Sequence, residues 1–551
     1  MKTLILTFAF ILISFTGFSK TSPNETKKIA TFCKLWGFLK YYHPEVAKGE
    51  IDWDSEFINR LKSIDKLTSK QEINNYYSEW IRDLGDVKNC KKCDNNIPDI
   101  LKFNLDLKWL GDTSIFTNNL IEQLQYIQLN RNLKDNYYVQ KTKFVGNTLY
   151  SNEKPYNDSI YPTPEMRLLT LSRYWNIINY FFPYKYLMDD DWNDVLHEMI
   201  PKFKYAQDTL NYHMAILELV AKINDSHANF SSNQTFQYFG MKWTPFIYKI
   251  IDDKAIVTGF YNDSLCEKDD IQYGDVFLKV NDVNIVDIIN EKSKYICASN
   301  NATKLRKMYY GIFTGNTDSV NVTFERDGNI IAKTISRYMF YEFNYLWQNP
   351  DDSVTYKVLE DNIGYVNLGN LKKHQVENVL GKLKNTKAII FDVRNYPNGT
   401  MYKIADVLNP QSRAFAKFSN PDITYPGIFQ YTKPYFCGGK NKDPYKGKVV
   451  LLFNETTQSH AEFTLMALKT APDVIGIGSQ TAGADGNVSI IILPGGFKTA
   501  MTGIGVYYPD GTETQRIGIV PDIEVHPTID GIRAGKDEVL EKALETIKSG
   551  N

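Results

Sequence analysis

The chain has 551 residues, 43% of them hydrophobic and 23% charged, with a formal net charge of −1. That is the composition of a folded protein too long for one ordinary core, so roughly three or four domains are expected. The near-zero charge gives no long-range pull on nucleic acid or an anionic membrane, and neither a Gly-rich phosphate loop nor an HExxH motif is present, so no cofactor, no metal and no nucleic-acid partner are expected.

The first residues, MKTLILTFAFILISFTGFSK, place Lys2 before an apolar run from Leu4 to Phe15, followed by the small residues Gly17 and Ser19. This pattern reads as a secretory signal peptide over residues 1–19. The alternative, a membrane anchor, is disfavoured because the run is short for a span. The expected location is therefore exported, periplasmic or extracellular, with no stable membrane span after signal cleavage. Export would permit disulfides among the six cysteines. The CKKC stretch, Cys90 to Cys93, lacks a second CxxC or a histidine pair, so it reads as a local disulfide or two free thiols and not as a zinc site.

The next segment repeats itself. LWGFLKYYHPEVAKGEIDWDSEF, from Leu35 to Phe57, matches YWNIINYFFPYKYLMDDDWNDVL, from Tyr174 to Leu196, without a gap. Trp36 corresponds to Trp175, Pro44 to Pro183, Asp52 to Asp191 and Trp53 to Trp192. Two mainly helical domains are expected, 20–160 and 161–240, with helices broken at the prolines. The same offset lays Asp86 on Asp225, but Val87 and Lys88 stand where the second copy has Ser226 and His227. The repeated scaffold therefore does not require the Ser-His pair, which favours a functional role for His227 over that of a buried structural histidine.

From about Lys242 the pattern becomes short β-rich runs separated by turns, including a hairpin signal at Asp327-Gly328. Residues 241–340 read as a β-rich module whose Gly274 to Asn281 stretch resembles a PDZ domain. Such domains take extended peptides or C-termini by strand addition, which makes Gly274 and Asp275 candidate substrate-binding residues. After a linker, 350–551 alternates short apolar strands (IGYVNLG, KAIIFDVRN, KGKVVLLFN, DVIGIGS) with helical segments, as a largely parallel sheet requires. The predicted fold class is multidomain α/β: helical N-terminal repeats, a β-rich PDZ-like domain and an α/β core.

In VVLLFNETTQSHAEFTLMALKT a buried strand ends at Asn454 and a helix starts near Ser459, placing a serine at the carboxyl edge of the sheet beside free helix amides. The plainer reading makes Ser459 a helix cap, completed by Glu462 three residues on. In FDVRNYPNGT a strand ends at Asp392 and runs into a Gly-containing turn at Gly399, which can present amides to an anion or be an ordinary turn.

DSHANF, the PDZ-like block, DVRNYPNG, NETTQSHAEF, GSQTAG and GIVPDI, in this order, resemble the tail-specific, or C-terminal-processing, serine protease family. The resemblance covers roughly Arg167 to the C-terminus and implies a crotonase-like protease core over 350–551. It implies Ser459 as nucleophile and the amides of Gly399 and His460 as oxyanion donors. Most members place a lysine base after a Thr-x-Gly; here that stretch is Thr481-Ala482-Gly483-Ala484, so alanine holds the lysine's position. A tricorn-like branch uses a Ser-His pair instead, which makes His227 the base, Ser226 its orienting hydroxyl, and a late carboxylate their support. Glu513 is the preferred late residue, while Gln515 occupies the position set by alignment on Gly518. A carboxylate-bearing neighbourhood is expected to raise the imidazole modestly, so that activity climbs through roughly pH 6 to 7.5. The implied function is a serine endopeptidase or carboxyl-terminal processing peptidase acting on protein or peptide substrates. The alternatives are another acyl hydrolase, or a catalytically inactive peptide- or ligand-binding protein on the same fold.

Overall fold

The computed structural model describes residues 23–343 and 354–550. The leader expected at residues 1–19 lies outside the described residues. Among the described residues no helix is long and apolar enough to cross a membrane. Cys90 and Cys93 form a disulfide, while Cys33, Cys266, Cys297 and Cys437 are free and buried.

The helical repeat is visible as repeated geometry. Pro23–Tyr42, Trp53–Ile64 and Lys70–Asp83 form one unit; Pro164–Phe181, Trp192–Lys204 and Thr209–Ala221 form the other. Each second helix starts where an aspartate caps it: Asp52 accepts from the amide of Ser55 (3.3 Å) and Asp191 from that of Asn193 (2.8 Å). In each unit the two tryptophans exchange hydrogen bonds from indole to backbone. Trp36 and Trp53 do so at 2.9 and 3.2 Å, Trp175 and Trp192 at 2.6 and 3.0 Å. The first helices of the two units cross closely, with Asn176 Nδ2 donating to Cys33 O at 3.0 Å. A Cβ on Gly37 would stand 1.9 Å from the Asn176 amide oxygen, so glycine is what permits the approach.

The two units are one body and not two separate domains, because buried residues of both belong to a single apolar cluster. The reason is geometric. Pro164–Phe181 is buried along nearly its whole length, and a helix buried on every side must be enclosed by neighbours from more than one unit.

The β-rich module carries an antiparallel sheet of Phe246–Ile251, Lys254–Phe260, Val276–Val280, Ser319–Arg326 and Asn329–Ser336, in that order. Its last hairpin turns at Asp327 (φ 49°) and Gly328 (φ 80°), two left-handed residues that match the twist of the flanking strands.

The C-terminal α/β domain is built on a six-stranded sheet. Tyr356–Leu359 pairs antiparallel with Ile363–Asn367; Ala388–Asp392, Lys448–Phe453, Val474–Gly478 and Ile523–Glu524 follow, all parallel. The central strands are apolar on both faces, as buried parallel strands must be. Ile389, Phe391, Val449 and Leu451 enter one cluster, and Ala388, Ile390, Val450 and Leu452 enter the other, under the helix Glu538–Ser549. Adjacent parallel strands end together, so the loops after Asp392 and Phe453 lie side by side. A hairpin, Val488–Leu493 with Phe497–Thr502, leaves this domain and inserts Ile491, Leu493 and Met501 into the helical cluster.

Candidate active site

Ser459 sits between the strand Lys448–Phe453 and the helix His460–Leu468. The turn is built by short polar side chains: Asn454 Oδ1 accepts from the amide of Thr456 (2.9 Å), and Thr457 Oγ1 donates to Val393 O (2.8 Å). The latter bond and that from Thr456 Oγ1 to Arg394 O (2.9 Å) tie this loop to the one after Asp392. Ser459 itself has φ 58° and ψ −123°, a region that residues with a side chain avoid and that a sharp strand-to-helix elbow imposes. Its amide is held by Ala484 O at 3.0 Å and Glu462 Oε2 at 3.0 Å. Glu462 is buried and also accepts from Thr481 Oγ1 (2.6 Å), Gly483 N (2.8 Å) and Ala484 N (3.1 Å). Burial pushes its carboxyl up, against these hydrogen bonds. Thus Glu462 does more than cap: it clamps the elbow to the segment where Ala484 stands, and Ala484 contributes its carbonyl.

Two backbone donors lie on these joined loops. Gly399 has φ 65°, and the amides of Gly399 and His460 have no partner among the described residues. Tyr396, in the Gly399 loop, packs with its ring centroid 6.1 Å from that of His460. His460 Nδ1 and Nε2 play no visible part in the elbow, and burial lowers this imidazole. Arg394 of the same loop is committed elsewhere, forked between Asp392 Oδ2 (2.6 Å) and Asp537 (2.8 Å).

His227 approaches from the helical body. The residues preceding the two candidates touch: Gln458 Nε2 donates to Ser226 O at 3.4 Å, and Lys307 Nζ donates to the same carbonyl at 2.7 Å. No hydrogen bond joins His227 to Ser459; His227 Nε2 is buried without a partner. His227 Nδ1 lies 2.8 Å from Thr502 Oγ1, and Thr502 Oγ1 donates to Asp225 Oδ1 at 2.9 Å. The direct separation of His227 Nδ1 from Asp225 Oδ1 is 3.8 Å. Burial lowers the His227 imidazole below its ordinary value; Asp225 opposes the shift and Lys307 adds to it. This corrects the expectation of a modest rise, which weighed the carboxylate but not the desolvation.

Ser226 does not bond to His227. Its hydroxyl donates to Ala482 O at 3.2 Å and accepts from Ser299 N at 2.8 Å, so it fastens its loop to the Ala484 segment and to Ser299. Of the two late candidates, Gln515 is buried with Nε2 3.5 Å from Ser299 Oγ, which in turn accepts from Ser226 N at 2.8 Å. The Glu513 carboxylate instead accepts from the Tyr186 hydroxyl and does not reach Ser226. Sequence reasoning missed Thr502 and Ser299. In the β-rich module, Asp275 is buried and paired with Arg326 (2.7 Å). Gly274 O accepts from Arg533 Nε (3.1 Å), so this turn is engaged inside the molecule and offers no open binding groups. Among the described residues no group of three or more His, Cys, Asp or Glu side chains is disposed to hold a metal.

Residues 362–525 match the family model of peptidase family S41. Among solved structures, mature CPAF complexed with lactacystin shares 14% identity at a TM-score of 0.55, over 70% of this chain and 99% of that one. The photosystem II D1 C-terminal processing protease shares 17% identity at a TM-score of 0.40, over 68% and 98%. The tricorn protease shares 15% at 0.34, over 70% of this chain and 37% of that one. No curated protein matches the chain. The first of these likenesses shows the fold, and within the chain the segment 362–525 is similar to peptidase family S41.

Proposed function

We propose that this chain is an exported serine peptidase that hydrolyses protein or peptide substrates through Ser459, with His227 as base. The observation that carries the reading is the combination at the elbow: a serine in a strained conformation at a helix N-terminus, unengaged amides beside it, and a buried imidazole whose Nε2 is free. His227 Nε2 takes the Ser459 hydroxyl proton as Oγ attacks the carbonyl carbon. The amides of Gly399 and His460 hold the oxyanion, and the proton passes from Nε2 to the leaving amine. Water repeats the sequence on the acyl-enzyme. The reading requires Ser459 and His227 to close to hydrogen-bond distance when substrate binds, as such bonds often do. With Ala484 in the lysine's position, no lysine base serves this serine.

The antiparallel module at 241–340 is read as PDZ-like and would receive substrate C-termini by strand addition at a sheet edge, and the 350–551 domain as crotonase-like. Labelling by a fluorophosphonate tests the assignment directly. Wild type should label, and Ser459→Ala should neither label nor hydrolyse while losing no more stability than the roughly 1 kcal/mol that a lost cap costs. Labelling that survives in Ser459→Ala would remove Ser459 as nucleophile, and a wild type that never labels would favour a binding protein on the same fold.

A further inference from the structure

Asp225 is wholly buried, and three donors converge on it: Thr502 N (2.6 Å), Thr502 Oγ1 (2.9 Å) and His227 N (3.1 Å). Such a carboxylate can only accept, so the Thr502 hydroxyl spends its single proton on Asp225 and must face His227 Nδ1, 2.8 Å away, with a lone pair. That arrangement requires the proton of the neutral ring to sit on Nδ1 and leaves Nε2 as the basic nitrogen. A direct Asp225–His227 bond is not available at 3.8 Å.

We infer that Thr502 and Asp225 are positioning residues for His227, a hydroxyl-mediated relay that fixes its tautomer and stabilises the imidazolium formed when Nε2 is protonated. The inference rests on His227 being the base for Ser459. No proton is transferred along the relay: His227 Nδ1 keeps its hydrogen, Thr502 keeps its own, and Asp225 stays a carboxylate throughout. Thr502 comes from the hairpin whose Ile491, Leu493 and Met501 are embedded in the helical cluster. Asp225 and His227 come from the loop after the helix Thr209–Ala221, so the relay forms only when the hairpin of the α/β domain is seated on the helical body. The charged and titratable groups around the ring are Asp225 on its own loop, Lys307 bonded to Ser226 O, and, near Asp225, Cys297, Tyr174 and Tyr184.

The test uses the full chain and the second-order rate of labelling by a fluorophosphonate as a function of pH, for wild type, Thr502→Val, Thr502→Ser and Asp225→Asn. Thr502→Val should slow labelling at the plateau by about 10²-fold, the scale of a disabled general base, and Thr502→Ser should recover to within roughly threefold of wild type. The position of the acid limb separates positioning from mere packing. Removing the acceptor chain destabilises the imidazolium, so in Thr502→Val and Asp225→Asn the limb should move to lower pH. A loosened, wetter site would instead let the imidazole return toward about 6.5 and move the limb upward. Wild-type rates in Thr502→Val, or an upward shift, would overturn the relay; should Asp225→Asn not fold, Thr502→Val decides alone. Labelling that persists in Ser459→Ala sinks the underlying serine-peptidase reading. Labelling lost in Ser459→Ala but untouched in Thr502→Val sinks only the relay.

Discussion

At His227, the proposed base, opposing effects set the range in which the ring is neutral. Enclosure in the protein disfavours the charged ring and is the larger effect; Asp225 favours it, and Lys307 opposes it again. The net direction is downward, so the ring is neutral, and competent to accept a proton, already below the ordinary histidine value of about 6.5. The log of kcat/KM should therefore rise with pH below about 6.5 and be level by neutrality. A limb centred above about pH 7 in the wild-type profile would contradict this. Lys498 lies on the exposed face of the hairpin opposite Ile492, and Lys498→Ala should leave turnover unchanged. His227→Gln should lower kcat by several orders of magnitude, as loss of a triad member does. Turnover that vanishes in Lys498→Ala and survives in His227→Gln would reverse the assignment.

At the scale of elements, the break between helices of the first unit depends on another histidine. His43 is wholly buried and caps the short helix Pro44–Ala47, its Nδ1 accepting from the Glu45 amide at 3.3 Å. Burial lowers its imidazole to about 4. Its folded value is depressed, so as pH falls the unfolded chain binds the proton first. Stability is full above about 6.5 and is lost between there and about 4, by up to about 3 kcal/mol. His43→Asn, which keeps a capping side chain, should flatten that acid sensitivity; an unchanged pH dependence of the melting temperature would reject the assignment. The second unit has Phe182 at the equivalent position, which is why the helical break is legible in the repeat although the titrating cap is not. The parallel strands were legible for a comparable reason: Ala388–Asp392 and Lys448–Phe453 must be apolar on both faces, and that pattern is local. The strand-to-helix turn at Ser459 could be read because the patterns flanking it are local, and His227 stood out as a departure from the repeat. Thr502 could not, because its acceptor Asp225 is 277 residues away and a threonine ending a strand resembles any other. The fusion of the two helical units was hidden likewise, since apolar periodicity shows that a face is covered but not by which neighbour.

At the scale of the whole molecule, the helical body and the α/β domain meet across a buried ionic group. Lys40 and Arg173 both pair with Glu153 (2.5 and 3.0 Å), and Arg173 pairs also with Asp54 (2.7 Å), all four side chains being nearly inaccessible. Arg173 further donates to Ile492 O at 3.2 Å, on the hairpin that carries Thr502. Two residues of the first helical unit, one of the second and the backbone of the inserted hairpin thus depend on a single set of two cations and two anions. Balanced charge matters more here than the number of contacts, because an uncompensated ion in such a site costs several kcal/mol, whereas a neutral replacement of a pair can cost little. Glu153→Gln leaves two cations facing one anion and should destabilise by about 3–5 kcal/mol. Adding Lys40→Met restores neutrality, with Arg173 and Asp54 still paired, and should recover more than half of that loss despite removing a second native contact. Intrinsic fluorescence reads the transition where it occurs, since Trp36, Trp53, Trp80 and Trp175 are all buried in this helical cluster. A double variant less stable than Glu153→Gln alone would show that individual contacts, and not charge balance, hold the two parts together.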